Sequence, residues 1–274
     1  MVTPEVLVFD SDGVIASGGI LLPHAIDLFD KLEKDHFPFY VLTNNPFLDP
    51  KAKSLSYKKL GLNISENQIV GAAHPLNHSL SKIKKTHSKV FAIGIENPES
   101  LLQKHGFQID NQSNNIDAIL LLDDDEKWDA NLVSYLLNLL IHNPQLPLIV
   151  PNPDLVFPDK PNNLFLTSGS WAHLLVHLCS QKGLDISPIY LGKPYTPIYE
   201  CLIEQMKADS LFPKKESIFM LGDSPATDIS GANQQGWTSI LIQTGNHHYG
   251  LDKPNCQADF TFANLESFDK NFFN

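Results

Sequence analysis

Cysteine and basic residues are both scarce in this chain. Its three cysteines, Cys179, Cys201 and Cys256, are an odd number at wide spacing, a pattern that indicates neither a disulfide framework nor a metal-binding knuckle. We therefore predict reduced thiols. The 31 acidic residues outnumber the 20 basic ones, giving a formal net charge of -11 and a pI near 5.4. Because nucleic acids are bound by clustered cations, this balance predicts small-molecule partners and no nucleic acid.

Long apolar runs are also missing. No stretch reaches the roughly 20 apolar residues that are needed to span a bilayer. The N-terminal residues lack a basic segment followed by an apolar one, which is the pattern of a secretory signal. We therefore expect no membrane association and a cytoplasmic location.

The chain does contain enough apolar material for a sizeable core. Its 274 residues are 42% hydrophobic, which suits one large domain or two modest ones. A strand ending at Asp10 precedes a helix predicted over 23–36. A strand over 39–43 precedes a second helix, with Asp49 as its N-cap and Pro50 at its first position. This alternation predicts an α/β fold with parallel strands and right-handed crossovers.

Polar clusters follow four of the apolar runs. Because parallel sheets bind ligands outside the carboxyl ends of their strands, we expect the clusters to converge. Two acids one residue apart repel each other unless a cation offsets their charge, so the first cluster predicts a metal site. Each motif alone also occurs in turns, calcium loops or helix caps, and it is the ordered set that indicates a catalytic site. The clusters are Asp10-Ser11-Asp12-Gly13, Thr43-Asn44-Asn45, Gly192-Lys193-Pro194, and Gly222-Asp223-Ser224 with Asp228.

A second α/β unit is predicted between the second and third clusters. The alternation continues there without another polar strand end, between short hinges that contain Gly or Pro. We predict a core over residues 1–72 and 189–274, interrupted by an inserted domain over 73–188. The predicted strands of the insertion are 89–93, 117–122 and 146–150, and its predicted helices are 98–105, 131–142 and 170–182.

The order of the four clusters resembles that of the haloacid dehalogenase (HAD) superfamily. The place of the insertion, together with the segments 42–45, 151–154, 192–194 and 222–229, is most similar to the class IIA branch. That branch includes 4-nitrophenyl, pyridoxal and phosphoglycolate phosphatases and NagD-type nucleotidases. The resemblance covers the whole chain and implies a Rossmann-like parallel-sheet core with an inserted α/β cap domain of the C2 type. It also implies a Mg2+-dependent phosphatase that hydrolyses small phosphorylated metabolites through an aspartyl-phosphate.

The acidic clusters suit that chemistry. A phosphate monoester repels nucleophiles, so a carboxylate that attacks it has to be held in line by a metal ion and by donors around the phosphate oxygens. Asp10 is the predicted nucleophile, and Asp12 is predicted to protonate the leaving oxygen and later to deprotonate water. Asp10, the backbone carbonyl of Asp12, and Asp223 are the predicted Mg2+ ligands. Asp228 is predicted to orient metal-bound water or the lysine.

The other two clusters are predicted to bind the phosphate. Thr43 would donate its hydroxyl to the transferred group, with the backbone amide or side chain of Asn44 and the neighbouring Asn45 beside it. Lys193 would neutralise phosphate charge and keep Asp10 ionised, and we count it among the catalytic residues for that reason.

Three alternative functions remain compatible with the motifs. A phosphotransferase or phosphomutase of the same superfamily would use the same residues. A response-regulator receiver also places acids, a threonine and a lysine at strand ends, but it has less than half this length and no insertion. A catalytically silent binding protein is a further possibility, although both Asp10 and Asp12 are present.

Four features outside the clusters lead to separate expectations. Residues 46–49 replace hydroxyl and basic side chains that many class IIA members carry, so we predict an apolar rim and a leaving group that is not strongly anionic. The acidic run over 123–126 resembles a metal site but is typical of a solvated loop. The loop Asn152-Pro153-Asp154 follows a strand of the insertion and is predicted to face the core. The helix at 131–143 is more apolar than one buried stripe requires, which suggests a homodimer formed through the cap.

Overall fold

The computed structural model describes residues 3–46, 50–83, 88–94, 98, 102–103, 105–123, 128–160, 163–245 and 256–273. Most of the described strands belong to two parallel sheets. The strands of the first sheet are β1 (Val6–Phe9), β4 (Phe39–Thr43), β5 (Ile69–Gly71), β13 (Ile218–Gly222), β14 (Thr238–Ile242) and β15 (Phe260–Phe262). They lie in the order β15-β14-β13-β1-β4-β5, and every neighbouring pair is parallel.

Continuous apolar sequence explains the central strands of this core sheet. Every residue of β1, β4 and β13 is buried, as expected for parallel strands that are covered on both faces. Leu28 and Phe268 cover one face, and Tyr199 and Leu202 cover the other. The helical segments of the core are α1 (Ala25–Lys34), α2 (Pro50–Lys59), α6 (Thr196–Ala208), α7 (Ser230–Gln235), α8 (Leu265–Phe272), the 3-10 turns Glu66–Gln68 and Lys215–Ser217, and the π-helical turn Pro225–Ile229.

The second sheet is built mainly from the predicted insertion. Its strands are β6 (Ser88–Ile93), β7 (Phe107–Ile109), β8 (Ala118–Leu121), β9 (Leu148–Val150) and β12 (Ile189–Tyr190), in the parallel order β12-β9-β8-β6-β7. The helices of this unit are α3 (Leu76–Ile83), α4 (Ala130–His142) and α5 (Ser168–Ser180). The chain therefore has the predicted α/β architecture, a Rossmann-like parallel core with an inserted α/β cap. The helix predicted over 98–105 falls largely outside the described residues.

The strand before Lys193 is a correction to the sequence prediction. We expected the core to resume at residue 189, with Lys193 at the end of a core strand. Instead β12 pairs with β9, so it is the edge strand of the cap sheet. An apolar run this short fits the edge of either sheet, and the sequence does not show which strand it will pair with. Lys193 therefore lies where the chain returns from the cap sheet to the core helix α6.

Two hairpins were not predicted. The first pairs β2 (Ala16–Ser17) with β3 (Ile20–Leu21), directly after the first acidic cluster. The second pairs β10 (Val156–Lys160) with β11 (Asn163–Leu166) in the cap. Pro158 interrupts the apolar run of β10, and a proline inside a run argues against a strand unless the strand lies at an edge. This hairpin forms a separate two-stranded sheet, where such a proline is tolerated.

The apolar helix of the cap is covered by its own domain. Leu136, Leu139 and Leu140 of α4 are buried, and Leu132 and Leu137 are partly buried against the same cluster. The observation that suggested a cap-mediated homodimer is thus accounted for within one chain, and the dimer stays a prediction. No helix in the described part of the chain combines the length and the apolar character that crossing a membrane requires.

Candidate active site

The carboxyl ends of the three central core strands meet at one cavity. Asp10 follows β1, Thr43 ends β4, and Asp223 follows β13. Because β1 lies between β13 and β4, the side chains after these strands are close neighbours. The cavity has a volume of about 300 Å³, and its lining includes Asp10, Asp12, Thr43, Asn44, Asn45 and Lys193. The structure therefore brings all four clusters to the same edge of the core sheet.

Lys193 lies between two carboxylates at the floor of the cavity. Its Nζ donates to Oδ1 of Asp10 and to Oδ1 of Asp228, each at 2.6 Å. Only 2% of the residue is exposed. Burial alone would lower the pKa of Lys193, but the two carboxylates outweigh it and raise that pKa above its ordinary value. The two carboxylates therefore favour the charged form of Lys193.

Asp228 joins Lys193 to the loop after β13. Its Oδ1 accepts from Lys193, and its Oδ2 accepts from the backbone N–H groups of Asp223 and Ser224 at 3.1 and 3.0 Å. Burial raises the pKa of Asp228 to about 6, with Lys193 opposing the shift. Both carboxylate oxygens thus contact the lysine or the loop, which is compatible with the predicted orienting of the lysine, and that role stays a prediction.

An acidic group suited to a divalent cation lies beside this lysine. Asp10, Asp223 and Asp228 each offer a carboxylate oxygen within 4.8 Å of the others, and all three are buried. Gly13, with φ +97°, passes so close that a side chain there would collide with the Asp223 carboxylate. The donors are hard oxygens, which Mg2+ prefers. Both oxygens of Asp228 already accept hydrogen bonds. The group therefore fits a Mg2+ ion that is held by Asp10 and Asp223. The backbone carbonyl of Asp12, two residues after Asp10, is the third predicted ligand.

Asp10 and Asp12 lie in different environments. Burial raises the pKa of Asp10, and the charge and hydrogen bond of Lys193 oppose that shift. A bound divalent cation would act in the same direction as Lys193. Asp12 instead lies at the open side of the cavity, where the short hairpin that follows it pairs Asp12 with Ala16. Asp10 is therefore buried beside Lys193, whereas Asp12 is exposed at the cavity, and the predicted proton transfer by Asp12 stays a prediction.

The second cluster combines a hydroxyl with two amides. The backbone N–H of Asn45 donates to Thr43 Oγ1 at 3.1 Å, so the Thr43 hydroxyl hydrogen can point into the cavity. The Asn45 side chain is exposed at the cavity wall. These positions are compatible with the predicted phosphate contacts, which stay predictions.

The Asn44 side chain is committed to protein contacts. Its Nδ2 donates to Asp154 Oδ1 at 2.9 Å and to the Lys193 carbonyl at 3.0 Å, while its Oδ1 accepts from the Lys193 backbone N–H at 2.7 Å. An amide has two N–H hydrogens, and both are used here. A phosphate oxygen needs a donor, so the predicted side-chain contact is replaced by a structural role, and the backbone amide of Asn44 is the remaining candidate.

The cap supplies side chains that the four clusters did not include. Asn152 and Asp154 line the cavity, which confirms that their loop faces the core. Burial raises the pKa of Asp154 to about 7, opposed first by the charge of Lys193. Val156 and Phe157 of β10 line the cavity as well. The signal that could have located the hairpin is the sequence Pro161-Asn162-Asn163 between two apolar runs, since Pro and Asn are typical of turns.

Two sequence features of interest lie outside the described residues. They are residues 47–49 of the predicted apolar rim and residues 124–126 of the acidic run. The flanking Pro46 and Asp123 are described, and both line the cavity.

Comparison with protein families agrees with this site. Residues 7–108 match the model of a family described as haloacid dehalogenase-like hydrolase, and residues 190–268 match one described as HAD-hydrolase-like. The first match contains the first two clusters, and the second contains Lys193, Asp223 and Asp228. All four clusters thus lie within the matched regions.

Individual proteins match over most of the chain. A dihydroxyacetone phosphatase of Corynebacterium glutamicum is 24% identical, covering 86% of this chain and 80% of the relative. The chloroplastic phosphoglycolate phosphatase 1A of Arabidopsis thaliana is 25% identical, covering 96% of this chain and 76% of the relative. The crystal structure of a possible sugar phosphatase from Cytophaga hutchinsonii shares the fold, with a TM-score of 0.81, 24% identity and coverage of 96% and 94% of the two chains.

Proposed function

Because the chain belongs to the haloacid dehalogenase-like hydrolases, we propose that it is a Mg2+-dependent phosphatase that hydrolyses small phosphate monoesters through an aspartyl-phosphate on Asp10. The observation that carries the proposal is the floor of the cavity. There Asp10 contacts Lys193 at 2.6 Å and belongs to the carboxylate group that fits a divalent cation. A nucleophilic carboxylate has to be ionised and held in place, and these neighbours supply both conditions.

The reaction has two displacement steps at phosphorus. In the first, a carboxylate oxygen of Asp10 forms a bond to phosphorus while the bond to the leaving oxygen breaks, and Asp12 gives its proton to that oxygen. In the second, Asp12 takes a proton from water, the water oxygen bonds to phosphorus, and the bond to Asp10 breaks. Phosphate is released, and both acids return to their starting states.

The remaining residues stabilise charge and exclude water. When bound, Mg2+ would neutralise charge on the phosphate oxygens. Lys193 and the Thr43 hydroxyl would donate to the phosphate oxygens that gain charge during transfer. The cap loop that carries Asn152 and Asp154 lines the cavity opposite the core, so the phosphoryl group of a small monoester would be transferred away from bulk water.

The direct test is phosphate release from a panel of monoesters. The panel includes 4-nitrophenyl phosphate, pyridoxal phosphate, phosphoglycolate, nucleoside monophosphates and sugar phosphates, each with Mg2+ or EDTA. We expect Mg2+-dependent turnover that Asp10→Asn abolishes. A phosphotransferase or mutase would instead pass the phosphoryl group to an added sugar, and a binding protein would turn over no substrate.

Metal binding can be tested without activity. Mg2+ should raise the melting temperature of the native protein, because a ligand that binds only the folded state stabilises it. Asp223→Asn should lose most of that shift. Asp259→Asn is a suitable control, because Asp259 contacts Ser239 near the other end of β14. Equal shifts in Asp223→Asn and the native protein would contradict the proposed ligand set.

Location and partners are separate parts of the proposal. We propose a cytoplasmic protein that acts on small phosphorylated metabolites, supported by the acidic composition and the small cavity. Because one relative is named as chloroplastic, imaging of the tagged full-length protein is the appropriate test of location.

A homodimer formed through the cap is a further part of the proposal. Sedimentation at high protein concentration tests it, and a monomer would contradict it.

A further inference from the structure

The segment that carries the second acid of the first cluster is anchored at two points. The hydroxyl oxygens of Ser11 and of Tyr57 in α2 are hydrogen-bonded at 2.6 Å, and both residues are buried. The Thr244 hydroxyl, after β14, donates to the Gly13 carbonyl at 2.6 Å. Asp12 lies between these two anchored residues. Its backbone is therefore held in place while both hydrogen bonds are present.

The contact between Ser11 and Tyr57 reaches this segment from the core. Asp10 and Asp12 line the cavity, whereas Ser11 is not among the described residues of that lining. The Ser11 hydroxyl instead contacts Tyr57, which belongs to the same buried apolar cluster as Phe9. Neither hydroxyl is therefore in a position to touch a substrate.

A hydrogen-bonded pair of hydroxyls gives this contact a direction. A hydroxyl that is buried in an apolar cluster without a partner destabilises the fold, and two hydroxyls that bond each other largely offset that cost. Two apolar side chains of similar shape would be nearly as stable there. The hydrogen bond adds a defined orientation of Ser11 relative to α2, which apolar packing does not specify.

Tyr57 is itself held at several points. Its carbonyl accepts from the backbone N–H groups of Leu60 and Leu62, each at 3.0 Å, where α2 ends. The Lys53 ammonium lies 5.4 Å from the centre of its ring. Because α2 follows the second cluster in the chain, the Tyr57 hydroxyl links the loop after β1 to the helix that comes after Thr43–Asn45. A side chain held in this way can fix the position of a neighbouring functional group.

We propose that Tyr57 is a positioning residue that acts through Ser11 on Asp12. Its hydrogen bond holds the segment so that the backbone carbonyl of Asp12 can bind Mg2+ and the carboxyl group of Asp12 can reach the leaving oxygen. This inference rests on the phosphatase function proposed above, from which both roles of Asp12 come. Partners that orient a metal-binding group typically contribute about 10- to 100-fold in metal affinity or activity.

The test is a double-mutant cycle of Tyr57→Phe, Ser11→Ala and the variant that carries both substitutions. All three variants lack the hydrogen bond. We therefore expect kcat at saturating Mg2+, measured with any monoester that the native protein hydrolyses, to fall about tenfold in each variant. The dissociation constant of Mg2+, measured by calorimetric titration of the protein with Mg2+ alone, should rise about tenfold in each.

Stability should behave differently in the cycle. Each single substitution leaves one buried hydroxyl without its partner, whereas the double variant leaves none. Urea unfolding in EDTA should therefore show a smaller loss in the double variant than the sum of the two single losses. A double variant that regains stability but keeps a low kcat separates positioning from folding. It also supplies a folded protein if either single variant is too unstable to assay.

Tyr40→Phe is the matched control. Tyr40 of β4 is 2% exposed, as is Tyr57, and its hydroxyl donates to Asp209 at 2.7 Å. Neither Tyr40 nor Asp209 is among the described residues that line the cavity. The substitution removes a buried tyrosine hydroxyl from the same core, so we expect the kcat and the Mg2+ affinity of the native protein.

The outcomes separate the inference from the function on which it rests. Unchanged kcat and Mg2+ affinity in Tyr57→Phe would overturn the positioning role. Recovery of both in the double variant, together with stability, would also overturn it, because the hydrogen bond would then serve folding alone. If the native protein hydrolyses no monoester, the phosphatase function fails. The Mg2+ dissociation constants of the same proteins then still decide whether Tyr57 positions the backbone of Asp12.

Discussion

The side-chain amide of Asn44 holds the peptide of Lys193 from both sides. Its Oδ1 accepts from the Lys193 N–H at 2.7 Å, and its Nδ2 donates to the Lys193 carbonyl at 3.0 Å. The same Nδ2 donates to Asp154 of the cap. One residue at the end of a core strand thus fixes the backbone of the buried lysine and ties it to the cap loop. The position of the Lys193 ammonium depends on this contact.

Asn44→Ala should therefore impair catalysis through Lys193. Removing the amide leaves buried backbone groups of Lys193 unpaired, which costs about 1–3 kcal/mol of stability. We expect kcat to fall more than KM rises, because the lysine moves relative to Asp10. Steady-state kinetics and urea unfolding measure the two effects. Asn63→Ala is the control, since Asn63 bonds Glu33 at the surface. A change in KM alone would contradict the positioning role.

Lys193→Met should destabilise the protein as well as inactivate it. The substitution removes the cation shared by Asp10 and Asp228 and leaves two buried carboxylates uncompensated, a loss of about 3–5 kcal/mol. Urea unfolding in EDTA measures this loss without a contribution from metal. Lys89→Met is the control, because the Lys89–Asp110 pair is partly exposed and its loss should cost much less than that of the buried lysine. Similar losses in both variants would contradict the account.

Asp154→Asn should alter the dependence of stability on pH. Burial raises the pKa of Asp154 to about 7 from an ordinary 3.8, so the folded chain keeps a proton that the unfolded chain has lost. Stability therefore falls as pH rises between these two values. Residue 154 of the variant cannot ionise. The free energy of unfolding of the variant, relative to that of the native protein, should therefore increase by about 2 kcal/mol as the pH rises from about 5 to about 8.

The control for this prediction is Asp30→Asn on the exposed surface of α1. Asp10 and Asp228 raise the pKa of Asp154, and Lys193 lowers it. These groups are present in both proteins, so the difference in unfolding free energy isolates residue 154. A difference that does not change with pH would show that Asp154 is already ionised near its ordinary pKa.

Asp12→Asn should affect poor leaving groups most. An alkyl phosphate needs a proton on its leaving oxygen, whereas 4-nitrophenolate leaves without one. We expect kcat to fall about 10²- to 10⁴-fold for a sugar phosphate and much less for 4-nitrophenyl phosphate during the first displacement. Single-turnover kinetics with both substrates measure that step. Equal losses would indicate that Asp12 has a role other than proton transfer.

The sequence was sufficient for the core of this site because its signals are local. Each cluster follows an apolar run, and parallel topology alone brings such strand ends together. Asp10, Thr43 and Asp223 could therefore be placed from the sequence. The buried strands β1, β4 and β13 are continuous apolar runs, which is the pattern expected between two helix layers.

The contacts between core and cap could not be predicted in the same way. The pairing of β12 with β9 joins residues that are 40 positions apart, and the Asn44–Asp154 hydrogen bond joins residues that are 110 positions apart. Nothing near Asn44 in the sequence indicates that its amide binds Lys193. The hairpin formed by β10 and β11 was missed because Pro158 weakened its strand pattern, and with it the apolar wall at Phe157.

The central claim is that Asp10 carries the phosphoryl group during turnover. Rapid acid quench of the enzyme with substrate, followed by borohydride reduction, converts an aspartyl-phosphate to homoserine, which peptide mass spectrometry can locate. The account predicts homoserine at position 10, absent when substrate is omitted and absent in Asp10→Asn. Homoserine at position 12, or efficient turnover with no reduced residue at any quench time, would contradict it.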